Sequence, residues 1–102
     1  MTTTYQIIYW RDIPAQVKVK GRGSASRQLP ERFERAIDRA AMHAGAINTD
    51  DYLAEWRKSE WVEREGEPEA VVEAVAAELE AAYPEEKLRE MSRNGGREAK
   101  AE

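Results

Sequence analysis

The sequence predicts an α+β domain: a small three-stranded antiparallel sheet, in the order β-β-α-α-β-α, with helices packed mainly on one face. Three observations predict it. Two stretches near the start alternate with period two and are joined by a short break. Two later stretches repeat apolar residues at helical spacing. The strand-like and helix-like stretches do not alternate regularly, which argues against a parallel doubly wound sheet.

Thr3 to Trp10 is rich in β-branched and aromatic residues. Tyr5, Ile7 and Tyr9 fall on one face and Ile8 and Trp10 on the other, so a strand is expected near 3–11, apolar on both sides. Asp12-Ile13-Pro14 breaks it, because proline fixes its own backbone and pushes Ile13 into an extended conformation. From Ala15 to Gly21, Ala15, Val17 and Val19 alternate with Gln16, Lys18 and Lys20. That pattern predicts a half-buried strand near 15–22, paired antiparallel with the first. Gly21-Arg22-Gly23-Ser24-Ala25-Ser26 reads as a loop.

Leu29, Phe33, Ala36, Ile37, Ala40 and Ala44 predict a helix near 30–45, with Pro30 in its first turn and Gly45 at its stop. Met42 lies about 180° from Phe33 at 100° per residue, which suggests contact with a following helix, with contact to a partner as the alternative. Asn48 or Thr49 can cap a short helix near 49–57, with Asp50 and Asp51 suited to its positive end. Residues 58–65, with Glu60, Glu63, Arg64 and Glu65, read as a charged edge strand lying beside the first. Pro68 opens a helix near 68–83 with an apolar stripe of Val71, Val72, Val75, Leu79 and Tyr83. Phe33, Ile37, Val75 and Leu79 are the expected core between helices and sheet. Residues 1–84 are expected as one domain. Residues 85–102 read as a short helical extension through Leu88 and Met91, then a charged tail, disordered from Ser92 onward.

The chain has 102 residues, no cysteine and one histidine. A disulfide scaffold, a zinc finger and a thiol nucleophile are therefore excluded. No apolar run is long enough for a membrane span, and the N-terminus lacks the pattern of a signal peptide. A cytoplasmic location without membrane contact is expected. His43 lies at the border of the apolar helix face and reads as a structural hydrogen-bonding residue. Asp50 and Asp51 point about 100° apart on a helix, so they do not converge on a ligand. No catalytic, metal or cofactor site is expected, and the chain is not expected to be an enzyme.

Binding features are stronger. The net charge of -4 divides unevenly. Residues 59–102 hold 13 acidic and 6 basic residues, whereas residues 1–58 hold 10 basic and 7 acidic. Lys18, Lys20, Arg22 and Arg27 form the candidate anion-binding set, an arrangement that could also serve a nucleic acid. Trp10, Arg11 and Asp12, at the expected hairpin tip, are the candidate partner-binding set.

The run Tyr9-Trp10-Arg11-Asp12-Ile13-Pro14-Ala15-Gln16-Val17 is distinctive. With Leu29-Pro30-Glu31-Arg32-Phe33, residues Ala36 to Met42, and Asp51-Tyr52-Leu53-Ala54-Glu55-Trp56, it resembles the bacterial "virulence factor" domain family. The resemblance covers about residues 5–80. This domain also occurs at the end of conserved virulence factor C proteins, after HEAT-like repeats. The resemblance implies an accessory role linked to virulence or to corrinoid- and folate-dependent methyl transfer, and it assigns no catalytic residue. Because a turn requires Pro14 but not Trp10 or Arg11, it also directs attention to that corner as a protein contact. The expected function is thus a non-enzymatic protein-interaction module. Anion or nucleic-acid binding through residues 18–27 is the alternative, and nucleic acid is the less expected partner.

Overall fold

β1 (Thr2–Trp10) and β2 (Ile13–Lys20) pair antiparallel across a two-residue tip, Arg11-Asp12. The computed structural model describes residues 1–46 and 48–98. Tyr5 faces Val19 and Ile7 faces Val17, so the apolar alternations of both strands meet on one side of the sheet. Pro14, expected to lie in the break between strands, pairs with Tyr9 at the start of β2. The ladder accommodates it by a register shift between Ile8 and Tyr9, with Ala15 as the extra residue of a bulge.

The sheet has five strands rather than three. β3 (Ser24–Gln28) pairs antiparallel with β2, so the expected loop shrinks to residues 21–23. Ser24, Ser26 and Gln28 give β3 an exposed polar side, which an edge strand with one open face tolerates. After the helices, the chain returns to β1 twice, as β4 (Trp56–Lys58) and β5 (Val62–Glu65). The third expected strand is therefore split, although its place beside β1 is as expected. Ile8 faces Lys58 and Tyr5 faces Val62, so this side carries one more residue than β1 does. Ser59 stabilises the irregularity. Its Oγ accepts from Ile7 N–H at 2.9 Å, and its carbonyl accepts from Gln6 Nε2 at 3.0 Å.

α1 (Glu31–His43) follows Pro30 and buries Phe33, Ala36, Ile37 and Ala40. α2 (Thr49–Ala54) is capped by Asn48, whose side chain accepts from Asp51 N–H at 2.9 Å. It ends earlier than expected because Trp56 is drawn into the sheet opposite Trp10. α3 (Pro68–Ala82) crosses β1, β2 and β3 and buries Val71, Val72 and Val75. Two arginines fasten it to the sheet: Arg27 pairs with Glu73 at 2.5 Å, and Arg64 forks onto both oxygens of Glu78 at 2.9 and 2.5 Å. Of the four expected core residues, Phe33, Ile37 and Val75 are buried and Leu79 packs at the margin. Met42 is 72% exposed, so no helix covers it, contrary to expectation.

α4 (Glu85–Arg93) packs on α1, and Leu88 and Met91 belong to the core. Disorder does not begin at Ser92. Its side chain is buried and donates to Ala36 O at 3.0 Å or Leu88 O at 2.9 Å, and residues 94–98 run back to the hairpin tip. The rest of the expected tail, residues 99–102, lies outside the described residues. Among those described, no helix is long and apolar enough to cross a membrane.

Tyr83, just past α3, stands edge-on to Phe33 with ring centroids 6.2 Å apart. Burial pushes its phenol up to about 12, and nearby Tyr9, Glu98 and Asp12 add to the effect. The unfolded chain therefore loses this proton first as pH rises. Stability should fall between about pH 10 and 12, where the native state holds more protons than the unfolded one. Denaturation midpoints across that range should show a smaller fall for Tyr83→Phe. An identical slope would contradict this role for Tyr83.

Candidate functional site

The hairpin tip, expected to face a partner, is folded inward. Trp10 has no exposed surface. Its ring stacks on Tyr52 at 5.7 Å, and its Nε1 donates to Tyr52 O at 2.9 Å. Gly96 lies against the ring so closely that a Cβ there would sit 2.9 Å from Trp10 Cζ3. Gly96 also has φ +92°, a conformation that glycine adopts without a side-chain penalty.

Arg11 and Asp12 are engaged within the chain. Arg11 Nε donates to Glu55 Oε1 at 3.1 Å, and Nη1 donates to Gly95 O at 3.0 Å. Its guanidinium lies 5.2 Å from the Trp10 ring centroid. Asp12 accepts from Glu98 N–H at 2.9 Å and pairs with Arg57 at 3.4 Å, while its own N–H donates to Gly96 O at 2.9 Å. Arg11 has φ 53°, in the left-handed region that disfavours a residue with a side chain. Its contacts to α2 and the C-terminal segment offset that cost. Trp10, Arg11 and Asp12 thus form an internal clamp. In this fold the Trp10 ring presents no surface, and Arg11 and Asp12 pair with Glu55 and Arg57 within the chain.

The basic set divides by strand parity. Lys18 lies opposite Gln6 and Ser26, and Lys20 opposite Thr4 and Ser24, on the side of the sheet away from α3. Arg27 lies opposite Val17 on the α3 side, where it pairs with Glu73, so the fold does not bring it together with Lys18 and Lys20. Arg22 is exposed in the turn after Lys20. Lys58, which sequence reasoning missed, lies opposite Ile8 on the same side as Lys18 and Lys20. Its place depends on the return of β4 to β1, for which no local pattern is diagnostic. Trp61 completes the face. It is 43% exposed, and Lys20 Nζ stands 4.7 Å from its ring centroid.

The result is a shallow concavity of about 500 Å³ among Lys18, Lys20, Lys58, Trp61, Ser24 and Ser26. Among the described residues, none of the three lysines has a carboxylate within 4 Å. The small serines leave the lysine stems open toward the sheet edge. Such a face can attract carboxylates or phosphates and can cover an apolar group with the Trp61 ring. His43 is exposed in the last turn of α1, apart from this face. Asp50 and Asp51 lie in the first turn of α2, with Asp51 engaged by Asn48.

The chain matches no curated protein and no solved structure. Residues 8–91 match the family described as "Virulence factor". The match begins near the end of β1 and runs into α4, taking in the hairpin tip, all of α1 to α3 and the returning strands. By this match over most of its length, the chain belongs to the virulence factor family.

Proposed function

We propose that the chain is a non-enzymatic interaction module that receives an acidic protein partner on the lysine-bearing side of its sheet, the side away from α3. The observation that carries this reading is the cluster of Lys18, Lys20 and Lys58 around the half-exposed Trp61, with no carboxylate partner among the described residues. Three like charges side by side repel one another, and a carboxylate-bearing partner relieves that repulsion. Trp61 supplies the amphipathic contact that interface centres favour. The test is capture of the partner from extract and its rebinding as a purified protein, by wild type, Lys18→Ala/Lys20→Ala and Arg27→Ala. Wild type and Arg27→Ala should bind an acidic protein that the double-lysine variant loses, and Trp61→Ala should weaken binding by ~2 kcal/mol. A partner that binds the double-lysine variant as tightly as wild type would overturn the reading.

The lysines and Trp61 also favour a second reading, binding of a single-stranded nucleic acid. Glu63, opposite Thr4 on the same face, argues against a long polyanion. With three lysines at the face, such binding would weaken with a log–log salt slope of about -2. No binding to a mixed-sequence oligonucleotide is expected at physiological salt. Micromolar binding with that slope, lost in Lys18→Ala/Lys20→Ala, would favour this second reading.

A further inference from the structure

A second cavity, of about 380 Å³, lies between α1, α2 and the ends of β2 and β4, and shares no lining residue with the lysine face. Leu29 and Ile37 give it an apolar base, Tyr52 and Trp56 line it with aromatic rings, and Glu34 and Asp38 supply its carboxylates. We propose that this cavity is a binding site for a small organic ammonium ion.

The two rings meet at 82° with centroids 5.9 Å apart, so they form a corner. Aromatic faces attract cations through their negative π-clouds, and two at a right angle can contact one ammonium group from two sides. Tyr52 is held in place from behind, where Trp10 stacks on it and hydrogen-bonds to its carbonyl. The corner is therefore prepared before any ligand arrives.

Glu34 and Asp38 stand one turn apart on α1, hence on one side of the helix. Among the described residues neither has a basic partner within 4 Å, although Glu31 on the same helix pairs with Arg35. Their charges reach the aromatic corner: beyond the effect of burial, Asp38 and Glu34 are the charges that push the Tyr52 phenol up. Two like charges at this spacing repel one another along the helix. A bound cation removes that repulsion.

Size and chemistry narrow the ligand. The volume is at the small end of ordinary ligand sites, suited to an ammonium with a short alkyl group. An anion would meet two carboxylates, and a neutral apolar molecule would leave them unmatched. The described lining holds no basic side chain to compete.

The probes are choline and 3,3-dimethyl-1-butanol, which share a shape and differ in charge, titrated into the full chain. Side-chain NMR signals of Tyr52 and Trp56 report binding, and calorimetry gives the affinity. Choline should bind saturably, at least tenfold tighter than the neutral alcohol. Glu34→Gln/Asp38→Asn should reduce choline affinity about tenfold while leaving the thermal midpoint and the signals of Trp10 and Trp61 in place. Those two positions are exposed, so the variant should fold. Equal affinity for both probes, no binding of choline, or choline binding unchanged in the double variant would each overturn the assignment.

Discussion

Trp10→Ala should lower the unfolding free energy by ~3–5 kcal/mol, the range for removing a large buried aromatic ring. That is a large share of the ~5–15 kcal/mol available to a domain. The ring has no exposed surface, and two distant parts of the chain close on it: Tyr52 of α2 and Gly96 of the C-terminal segment. Removing it leaves a cavity those neighbours cannot fill without moving the hairpin tip, and leaves Tyr52 O with only the longer bond from Glu55 N–H at 3.3 Å in place of its 2.9 Å donor. Urea denaturation measures the loss, and Trp10→Phe should recover about half of it. A loss below ~1 kcal/mol would show that the ring is exposed in solution, and would revive the tip as a partner contact.

The burial of the hairpin tip has no signature in the local sequence pattern. The alternation in β1 gives which residues share a face, and Tyr5 and Ile7 do meet Val19 and Val17 as that alternation requires. It does not record what later closes over a strand end. Trp10 is covered by Tyr52 and Gly96, 42 and 86 residues further on, each of which looks unremarkable by itself. α1 was legible because its buried residues repeat at one helical period and Gly45 marks its stop. β3 was hidden because Ser-Ala-Ser lacks the branched and aromatic residues that announce a strand, which an exposed edge does not need. The split between β4 and β5 was hidden because a one-residue bulge leaves composition unchanged.

The lysine face was half legible for the same reason. Lys18 and Lys20 share parity on β2, so their common side could be read directly. Arg27 could be placed only once residues 24–28 were known to be a strand, because parity then puts it with Ala25, not with Ser26. Lys58 required a long-range register that no local signal carries. The ammonium cavity was wholly hidden. Taken alone, Glu34 and Asp38 are polar residues of an amphipathic helix, and Tyr52 and Trp56 are aromatics of a separate short segment. Only the fold brings the two pairs together.

Deleting residues 92–102 should destabilise the domain by roughly 4 kcal/mol or more, although the segment is polar and the family match ends at residue 91. Ser92 is buried and joins α4 to α1 through Ala36 O. Without Gly95 and Gly96, the Arg11 guanidinium loses one of its acceptors and Asp12 N–H loses its own. Polar groups left unsatisfied cost ~1–3 kcal/mol each where water cannot reach them. The cut also uncovers the Trp10 ring, at ~25 cal/mol per Å² of apolar surface exposed. Denaturation of the shortened chain measures the sum, and Trp10 fluorescence should shift red as water reaches the indole. Gly96→Ala is the milder check, with an expected loss of ~1–3 kcal/mol from its left-handed backbone and the close approach to the ring. A shortened chain as stable as the full one, with Trp10 emission unmoved, would mean that residues 92–98 are a loose tail after all, as their composition alone suggests.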